Sequence, residues 1–429
     1  MRLKTKTKTL NLWEKERQIP LGVIVNSPMN RITHMQTHSL AETTLVFSKP
    51  GVGKSVITKN IYAMNWMFGL PQVIFDPTGA DHRLNYLPNS RPINLAPGVD
   101  SFGMSKHPRT GREVKYLAVP QPGIKSWETI YRPNLNDFNS GEFESMGFSA
   151  GASAHLERVL RVYGPFKSFE SLVSFIDTFP STPREADSIK RRIERGLYVT
   201  DHTEEYRDHD TIPSSSKENL QKILYQLKSN NLIALNDEDS FDVVEWVDNG
   251  NSVVFSFDEN YSLARVVVSL VCRRLIVWKK TWGRYKDLGL GFEEMDKTFP
   301  KEGGEGGMSE FISNLVLKLR KLSIKIVGSS ATLKGMDENL LENCHNVIFG
   351  PLAGRHLGII KWVVGSDIAD MVSRLRWNRF APGGGYREFL LVDERKNVFK
   401  FNPFECPCEM HREITRKGFY DYGGEKKNA

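Results

Sequence analysis

Cysteine is scarce in this sequence: Cys272, Cys344, Cys406 and Cys408 are the only four in 429 residues. Four are too few to staple a chain of this size, which excludes a disulfide-built scaffold and predicts a reducing, cytoplasmic setting. Long apolar runs are missing as well. The longest, Val266 to Trp278, is broken by Arg273 and Arg274 and falls short of the roughly 20 apolar residues that cross a bilayer. Met1 to Leu10 alternates Lys and Thr without an apolar stretch, so it is not a secretory signal and is expected to form a basic arm. With 34 Gly and 21 Pro, collagenous and low-complexity classes are excluded too.

What remains is an ordinary globular composition, 40% hydrophobic and 25% charged, long enough for two or three domains. The 58 Lys and Arg against 51 Asp and Glu leave a net charge of +7, which permits a polyanionic partner without requiring one. Thr43 to Phe47 is a short apolar, β-branched run that ends in a Ser-Lys-Pro-Gly turn, and a helical pattern follows from Lys54 to about Met67. A second strand, Gln72 to Phe75, stops at Asp76-Pro77-Thr78-Gly79. From about 97 to 230 amphipathic helices dominate, among them 153–162, 169–178, 184–198 and 217–228, and the stretch reads as a helical insertion. Strand-like runs return at 252–257, 288–292, 324–328 and 347–349, with helices at 263–279 and 308–322. This alternation predicts a mostly parallel sheet covered on both faces. A helix, a Gly-rich turn at Gly383 to Gly385 and a hairpin over 388–401 complete the reading.

Pro50-Gly51-Val52-Gly53-Lys54-Ser55 lies between the first strand and its helix. Glycines allow backbone N–H groups to converge on phosphate oxygens, and the helix N-terminus adds partial positive charge. Lys54 is placed to reach the β and γ phosphates of ATP, and Ser55 offers a hydroxyl to Mg²⁺. The usual pattern opens with a further glycine five residues before Gly53, where this chain has Ser48. Hydrolysis also needs carboxylates to hold Mg²⁺ and to orient the attacking water. Leu288 to Phe292 runs directly into Glu293-Glu294, at the strand end where a parallel sheet also carries its phosphate loop.

Glu293-Glu294-Met295-Asp296-Lys297-Thr298-Phe299-Pro300 resembles the Walker B segment of HerA-like members of the HerA–FtsK ATPase superfamily. Val73 to Gly79 looks like that family's second strand, 252–279 like the strand and helix before its Walker B strand, and Ile326 to Cys344 like its sensor strand and the segment after it. The resemblance covers about residues 40–365. It implies an α/β P-loop NTPase of the ASCE, RecA-like type, laid out as a basic N-terminal arm (1–39), a first part of the ATPase core (40–96), the helical insertion (97–230), a second part of the core (231–365) and a C-terminal extension (366–429). Glu293 replaces the usual Asp. The sensor Gln is absent; Ala331 falls near its place, and Ser329, Ser330 or Thr332 can supply the polar contact to the γ-phosphate. The segment from Met1 to Phe47 is expected to be too short for the family's N-terminal β-barrel.

By the same resemblance, Glu293 and Ser55 place Mg²⁺, Glu294 orients water, and Arg320 reaches a neighbour's site as the trans-acting arginine, with Arg355 a second candidate. The implied function is an ATP-hydrolysing ring motor, a hexamer, that translocates double-stranded DNA in viral genome packaging or mobile-element transfer. It would work in the host cytoplasm or a virion if viral, with a portal, capsid or transfer complex as a possible partner. Two other classes are open: an ATP-binding scaffold without turnover, motivated by Ser48, Glu293 and the lost Gln, and a small-molecule or nucleotide kinase. Other features are less specific. Cys406, Cys408 and His411 can form half a zinc site, though a reduced turn is the plainer reading. His34 and His38 have helical metal-site spacing but no partner cluster. The Trp278 to Tyr285 aromatic-basic stretch can stack on bases or pack as a helix end, and Gly303 to Gly307 reads as a flexible connector.

Overall fold

A computed structural model describes residues 18–25, 27, 31–36, 43–78, 82–90, 94–120, 124–146, 148–194, 211–229, 233–235, 241–298, 322, 324–333, 344–378 and 386–409. In chain order, strands β1 (Gln18–Ile24), β2 (Ile32–Gln36) and β3 (Thr43–Phe47) lead into helix α1 (Lys54–Met67) and strand β4 (Gln72–Asp76). Strands β5 (Val114–Ala118) and β6 (Glu128–Ile130) precede five helices, α2 (Ser140–Ser145), α3 (Ala150–Tyr163), α4 (Phe169–Thr178), α5 (Pro183–Glu194) and α6 (Ser214–Ser229). Then come α7 (Val243–Asp248), β7 (Ser252–Ser256), α8 (Tyr261–Thr281), β8 (Leu288–Phe292), α9 (Met295–Thr298), β9 (Ile324–Ser330) and β10 (Asn346–Phe349). Helices α10 (Leu357–Val363) and α11 (Ser366–Ser373) and strands β11 (Trp377–Asn378), β12 (Tyr386–Arg387), β13 (Phe389–Val392) and β14 (Val398–Pro403) finish the described chain. No helix among the described residues is long and apolar enough to cross a membrane.

One twelve-stranded sheet organises the molecule, in the order β2-β1-β14-β13-β10-β3-β9-β8-β4-β7-β5-β6. From β10 to β6 every neighbouring pair is parallel, and this α/β architecture explains the composition of the strands. β3, β4, β7, β8 and β9 are buried at every position, because helices cover both faces of a parallel sheet and leave no side for polar residues. β9, which continues to Ser330, separates the phosphate-loop strand β3 from the acidic strand β8, the strand order of an ASCE-type P-loop fold.

The sheet reaches further than the sequence suggests at three places. β1 and β2 lie within residues 1–39, expected to be an arm, and they pair antiparallel at the edge of the sheet. Pro20 sits beside a register shift in that pairing, a position where the missing N–H costs little. β5 and β6 lie in the stretch expected to be a helical insertion, yet β5 pairs with β7. Of the C-terminal extension, β13 pairs with β10 and β14 with β1.

Helices α2, α3, α4 and α6 gather around a separate apolar cluster that includes Phe143, Leu156, Leu172, Ile176, Leu220 and Leu224. Val266 and Leu270 of α8, four residues apart, join that cluster, while Val267, Val271 and Leu275 face the sheet. One long helix therefore serves both cores. A polar clasp reinforces the junction: Glu142, buried at the first turn of α2, closes a capping box with Asn139 and accepts hydrogen bonds from Ser269 and Arg273 of α8. The expected helix over 308–322 and the Gly303–Gly307 connector lie almost wholly outside the described residues, as does the turn at 383–385.

Candidate nucleotide site

The phosphate loop runs from the end of β3 into α1. Its start is buried: Ser48, at the place of the missing glycine, is fully enclosed, and its N–H donates to Ser330 O at 3.4 Å. Pro50 and Gly51 are exposed, whereas Val52 is buried in the apolar cluster beneath the loop. Gly51 has φ +79 and Gly53 φ +117. Gly53 is the N-cap of α1, and no described side chain caps that helix. A left-handed N-cap followed by an uncapped first turn presents backbone N–H groups to an anion, and only glycine adopts that conformation without strain. Ser55, half-buried in the first turn, is one residue beyond Lys54.

Lys54 is buried and donates from Nζ to Ser329 Oγ at 3.3 Å. Ser329 Oγ in turn donates to Glu293 Oε2. The loop lysine and the first acid after β8 are thus joined through one hydroxyl from the strand between them. The other carboxylate oxygen, Oε1, faces the interior. It accepts from Tyr62 Oη at 3.3 Å and lies 3.2 Å from His82 Nε2, a charge contact without the direction of a formed hydrogen bond. Burial alone would raise the Glu293 carboxyl, but the His82 charge, Lys54 and the Ser329 hydroxyl outweigh it and hold the group at about 2. Burial works the other way on His82, and there Glu293 and Asp76 prevail and raise the imidazole above its ordinary value. Burial and the neighbouring Glu293 push the Tyr62 phenol well up, so its oxygen acts as a donor.

Backbone geometry makes this network possible. Tyr62 lies two turns after Lys54 on α1, on the face that also carries Thr58. Its ring passes directly over β8, where a Cβ on Gly291 would stand 2.7 Å from Tyr62 Cζ and Oη. Asp76, at the end of β4, is fully buried and orders the segment after it, accepting from Thr78 N, Thr78 Oγ1 and His82 N at 3.2, 2.7 and 2.7 Å. This places His82 opposite Glu293. Sequence reasoning missed His82 and Tyr62 as site residues.

Glu294 takes a different course. Its backbone is left-handed, φ 47, an unusual conformation for a residue with a side chain. Its carboxylate lies 2.6 Å from Lys297 Nζ and accepts from Tyr261 Oη at 3.3 Å. The two adjacent acids therefore point to different partners, one buried and one about a quarter exposed. Ser330 is turned toward the acidic segment rather than toward Lys54: its hydroxyl donates to Asp296 Oδ1 at 2.6 Å. Arg320 lies outside the described residues. Arg355 is exposed, with Nε 3.4 Å from His356 Nε2.

Of the remaining sequence candidates, Cys406 and Cys408 are buried free thiols, and His411 and His38 lie outside the described residues. Among the described residues no group of three or more His, Cys, Asp or Glu side chains is placed to hold a metal ion. For Mg²⁺ the donor set is chemically suitable, a hydroxyl at Ser55 and an ionised carboxylate at Glu293, although that carboxylate is engaged by His82, Tyr62 and Ser329. Trp282 and Tyr285, beyond the far end of α8, are almost fully exposed.

No family model matches the sequence, and no match was found among curated proteins. Among solved structures, the bacterial conjugative coupling protein TrwB aligns over 95% of this chain and 93% of its own at 13% identity, with a TM-score of 0.46. VirB4 of Thermoanaerobacter pseudethanolicus aligns over 91% of this chain and 97% of its own at 14% identity, with a TM-score of 0.48. The genome packaging NTPase B204 from Sulfolobus turreted icosahedral virus 2, in complex with AMPPCP, aligns over 85% and 100% at 8% identity, with a TM-score of 0.36. These are distant likenesses, and the chemistry of the site rests on its own side chains.

Proposed function

We propose that this chain is an ATP-hydrolysing motor that assembles as a hexameric ring and moves double-stranded DNA, in viral genome packaging or mobile-element transfer. The observation that carries the reading is the link from Lys54 through Ser329 to Glu293, beside a glycine-shaped phosphate loop at the carboxyl edge of a parallel sheet. The Walker B resemblance of 293–300 supplies the motor class. In this reading the loop N–H groups and Lys54 hold the β and γ phosphates. Ser55 and Glu293 hold Mg²⁺, which neutralises phosphate charge when bound. Glu294, displaced from the line of β8 by its left-handed backbone, turns the attacking water. Ser329 exchanges its contact with Lys54 for one with the γ-phosphate and so reports the nucleotide to Glu293. Arg320 completes a neighbour's site.

One observation favours a second reading, a scaffold that binds ATP without turnover: Glu293 is turned into the interior and held there by His82 and Tyr62. Steady-state ATPase measurements separate the two. For the motor, turnover per chain rises with protein concentration and with double-stranded DNA, and DNA binding weakens steeply with salt as counterions are released. Inactive Arg320→Ala subunits mixed with Glu294→Gln subunits recover part of the activity. ATP binding with no turnover under any of these conditions supports the scaffold, and a monomeric ATPase indifferent to DNA refutes the motor.

A further inference from the structure

The C-terminal segment brings a second cation to the phosphate loop. The ribbon β11–β12 pairs Trp377 with Arg387 and Asn378 with Tyr386, and both of its strands touch the loop. Lys49 Nζ stands 4.8 Å over the Trp377 ring. A Cβ on Gly53 would lie 3.0 Å from Arg387 Nη1 and 3.3 Å from Arg387 Cδ, so the guanidinium arm occupies the space beside the N-cap that glycine leaves open. Below it, a Cβ on Gly350 would meet both Phe389 and Ser48 at 2.6 Å, which packs the chain after β12 against the root of the same loop.

The position of Arg387 is firmly built. Its neighbour Glu388 is buried; its Oε1 accepts from Arg376 Nε at 2.9 Å and Nη2 at 2.8 Å, and its Oε2 accepts from Arg376 N at 2.7 Å and lies 2.8 Å from Lys400 Nζ. These contacts hold the Glu388 carboxyl below its ordinary value against the opposing effect of burial. One buried carboxylate thus ties the residue before β11, the residue after β12 and strand β14 together. Charge-assisted contacts to a buried carboxylate fix geometry, even where, as here, the cations reach solvent. A cation delivered by so rigid a mount, to the end of a loop that gathers N–H groups, belongs to an anion site.

We infer that Arg387 is a cis-acting phosphate-binding residue, brought by the β11–β12 ribbon to the phosphate loop of its own chain, where it binds the phosphates of a nucleoside di- or triphosphate. This rests on the nucleotide-site reading above and adds a residue to it. It also separates two kinds of arginine. A group supplied by a neighbour acts only in an assembly, whereas Arg387 acts in a single chain.

Calorimetric titrations of the full chain with ATP, ADP and adenosine test the assignment, at protein concentrations below and above those at which it assembles. Arg387→Ala should weaken ATP and ADP binding about 10- to 100-fold, the loss expected for a charge-assisted hydrogen bond. It should leave adenosine binding and the thermal unfolding midpoint unchanged, at both concentrations, and Arg387→Lys should restore part of the loss. Unchanged ATP affinity in Arg387→Ala, with binding lost in Lys54→Ala, overturns the role of Arg387 and leaves the nucleotide site standing. Equal losses for ATP and adenosine assign Arg387 to ribbon structure and also overturn it. A parent chain that binds no ATP removes the nucleotide-site reading and this inference with it.

Discussion

Substituting Gly291 by Ala tests the fit between β8 and α1 on which the placement of Glu293 depends. The added Cβ would stand 2.7 Å from Tyr62 Cζ and Oη and 2.8 Å from Cε1, where carbon contacts normally begin near 3.5 Å. Tyr62 is 1% exposed, so its ring has no open space to swing into. The expected cost is that of overpacking, about 1–3 kcal/mol. A retreat of roughly half an ångström or more also breaks the donation that the single Tyr62 O–H proton shares between Glu293 and Val327 O, already 3.3 and 3.2 Å long. Tyr62→Phe loses the same shared donation with no steric clash and should cost about 1–3 kcal/mol by leaving buried acceptors underused. The substitutions share one set of contacts, so the double variant should fall short of their sum by about 1 kcal/mol. Urea unfolding of the parent, the two single variants and the double variant measures that shortfall. Additive costs, within about 0.5 kcal/mol, would show that Gly291 and Tyr62 do not act on each other and refute the reasoning.

The two acids should separate in kinetics: Glu294→Gln retains ATP and slows turnover at least 100-fold, whereas Glu293→Gln chiefly raises the Mg²⁺ concentration needed for half-maximal rate; a Mg²⁺ titration of each checks this, and the reverse assignment would mean that the pair is read one residue out of register. The Glu293–His82 contact predicts a pH dependence of folding in the absence of nucleotide. Glu293, lowered to about 2, contributes fully above the unfolded carboxyl value of about 4.3 and loses its contribution as pH falls through 2; His82, raised, contributes fully below about 6.5 and loses its share as pH rises through its folded value. The stability gap between the parent and His82→Gln, from urea midpoints, should therefore be widest between about pH 4.5 and 6.5 and narrow on the alkaline side, and a gap constant to pH 10 would count against a charged His82. Weakening of the helical clasp should be local: Glu142→Gln loses its charge contact with Arg273 and should cost about 1–3 kcal/mol, seen as faster hydrogen exchange in α2 and α3 with ATP affinity unchanged; lost ATP affinity would contradict the separation of the two cores.

The parallel centre of the sheet was legible because its strands are short apolar runs, β-branched in all but β8, and buried on both faces, so that composition alone marks them. β5 was hidden by the lysine within Val-Lys-Tyr-Leu-Ala, and β6 has only three residues, too few for any periodicity to register. β1 carries a proline, ordinarily a sign against a strand, and of its two partners β2 is close by but β14 is remote in sequence. The C-terminal hairpin could be read locally, but its docking beside β10 depends on contacts that no local pattern encodes. At the site, Lys54 and Glu293 stand out because loops of this type need an ammonium and a carboxylate. His82 does not, since it meets Glu293 from a distant part of the chain. Tyr62 reads as one more core aromatic of α1. Arg387 was equally silent: what distinguishes it is its closeness to Gly53, and the sequence holds many arginines.

The pairing of β1 with β14 has a consequence for how the protein comes to be made. Gly22 faces Pro403 and Ile24 faces Phe401 across that ladder, so β1 must wait on the ribosome for a strand made hundreds of residues later before that edge is held. Contacts this remote in sequence form slowly, because a long loop must close before they return any free energy. During synthesis the β1–β2 hairpin has only its own short ladder, which is marginal alone in water, and the flank of β10 stays open until β13 arrives. A nascent chain stalled before residue 389 would hold a parallel sheet with its β10 edge bare, the kind of surface on which strands of other chains pair. The β13–β14 hairpin is thus the stitch that joins the β1–β2 pair to the parallel strands, and its synthesis covers the β10 flank against such pairing.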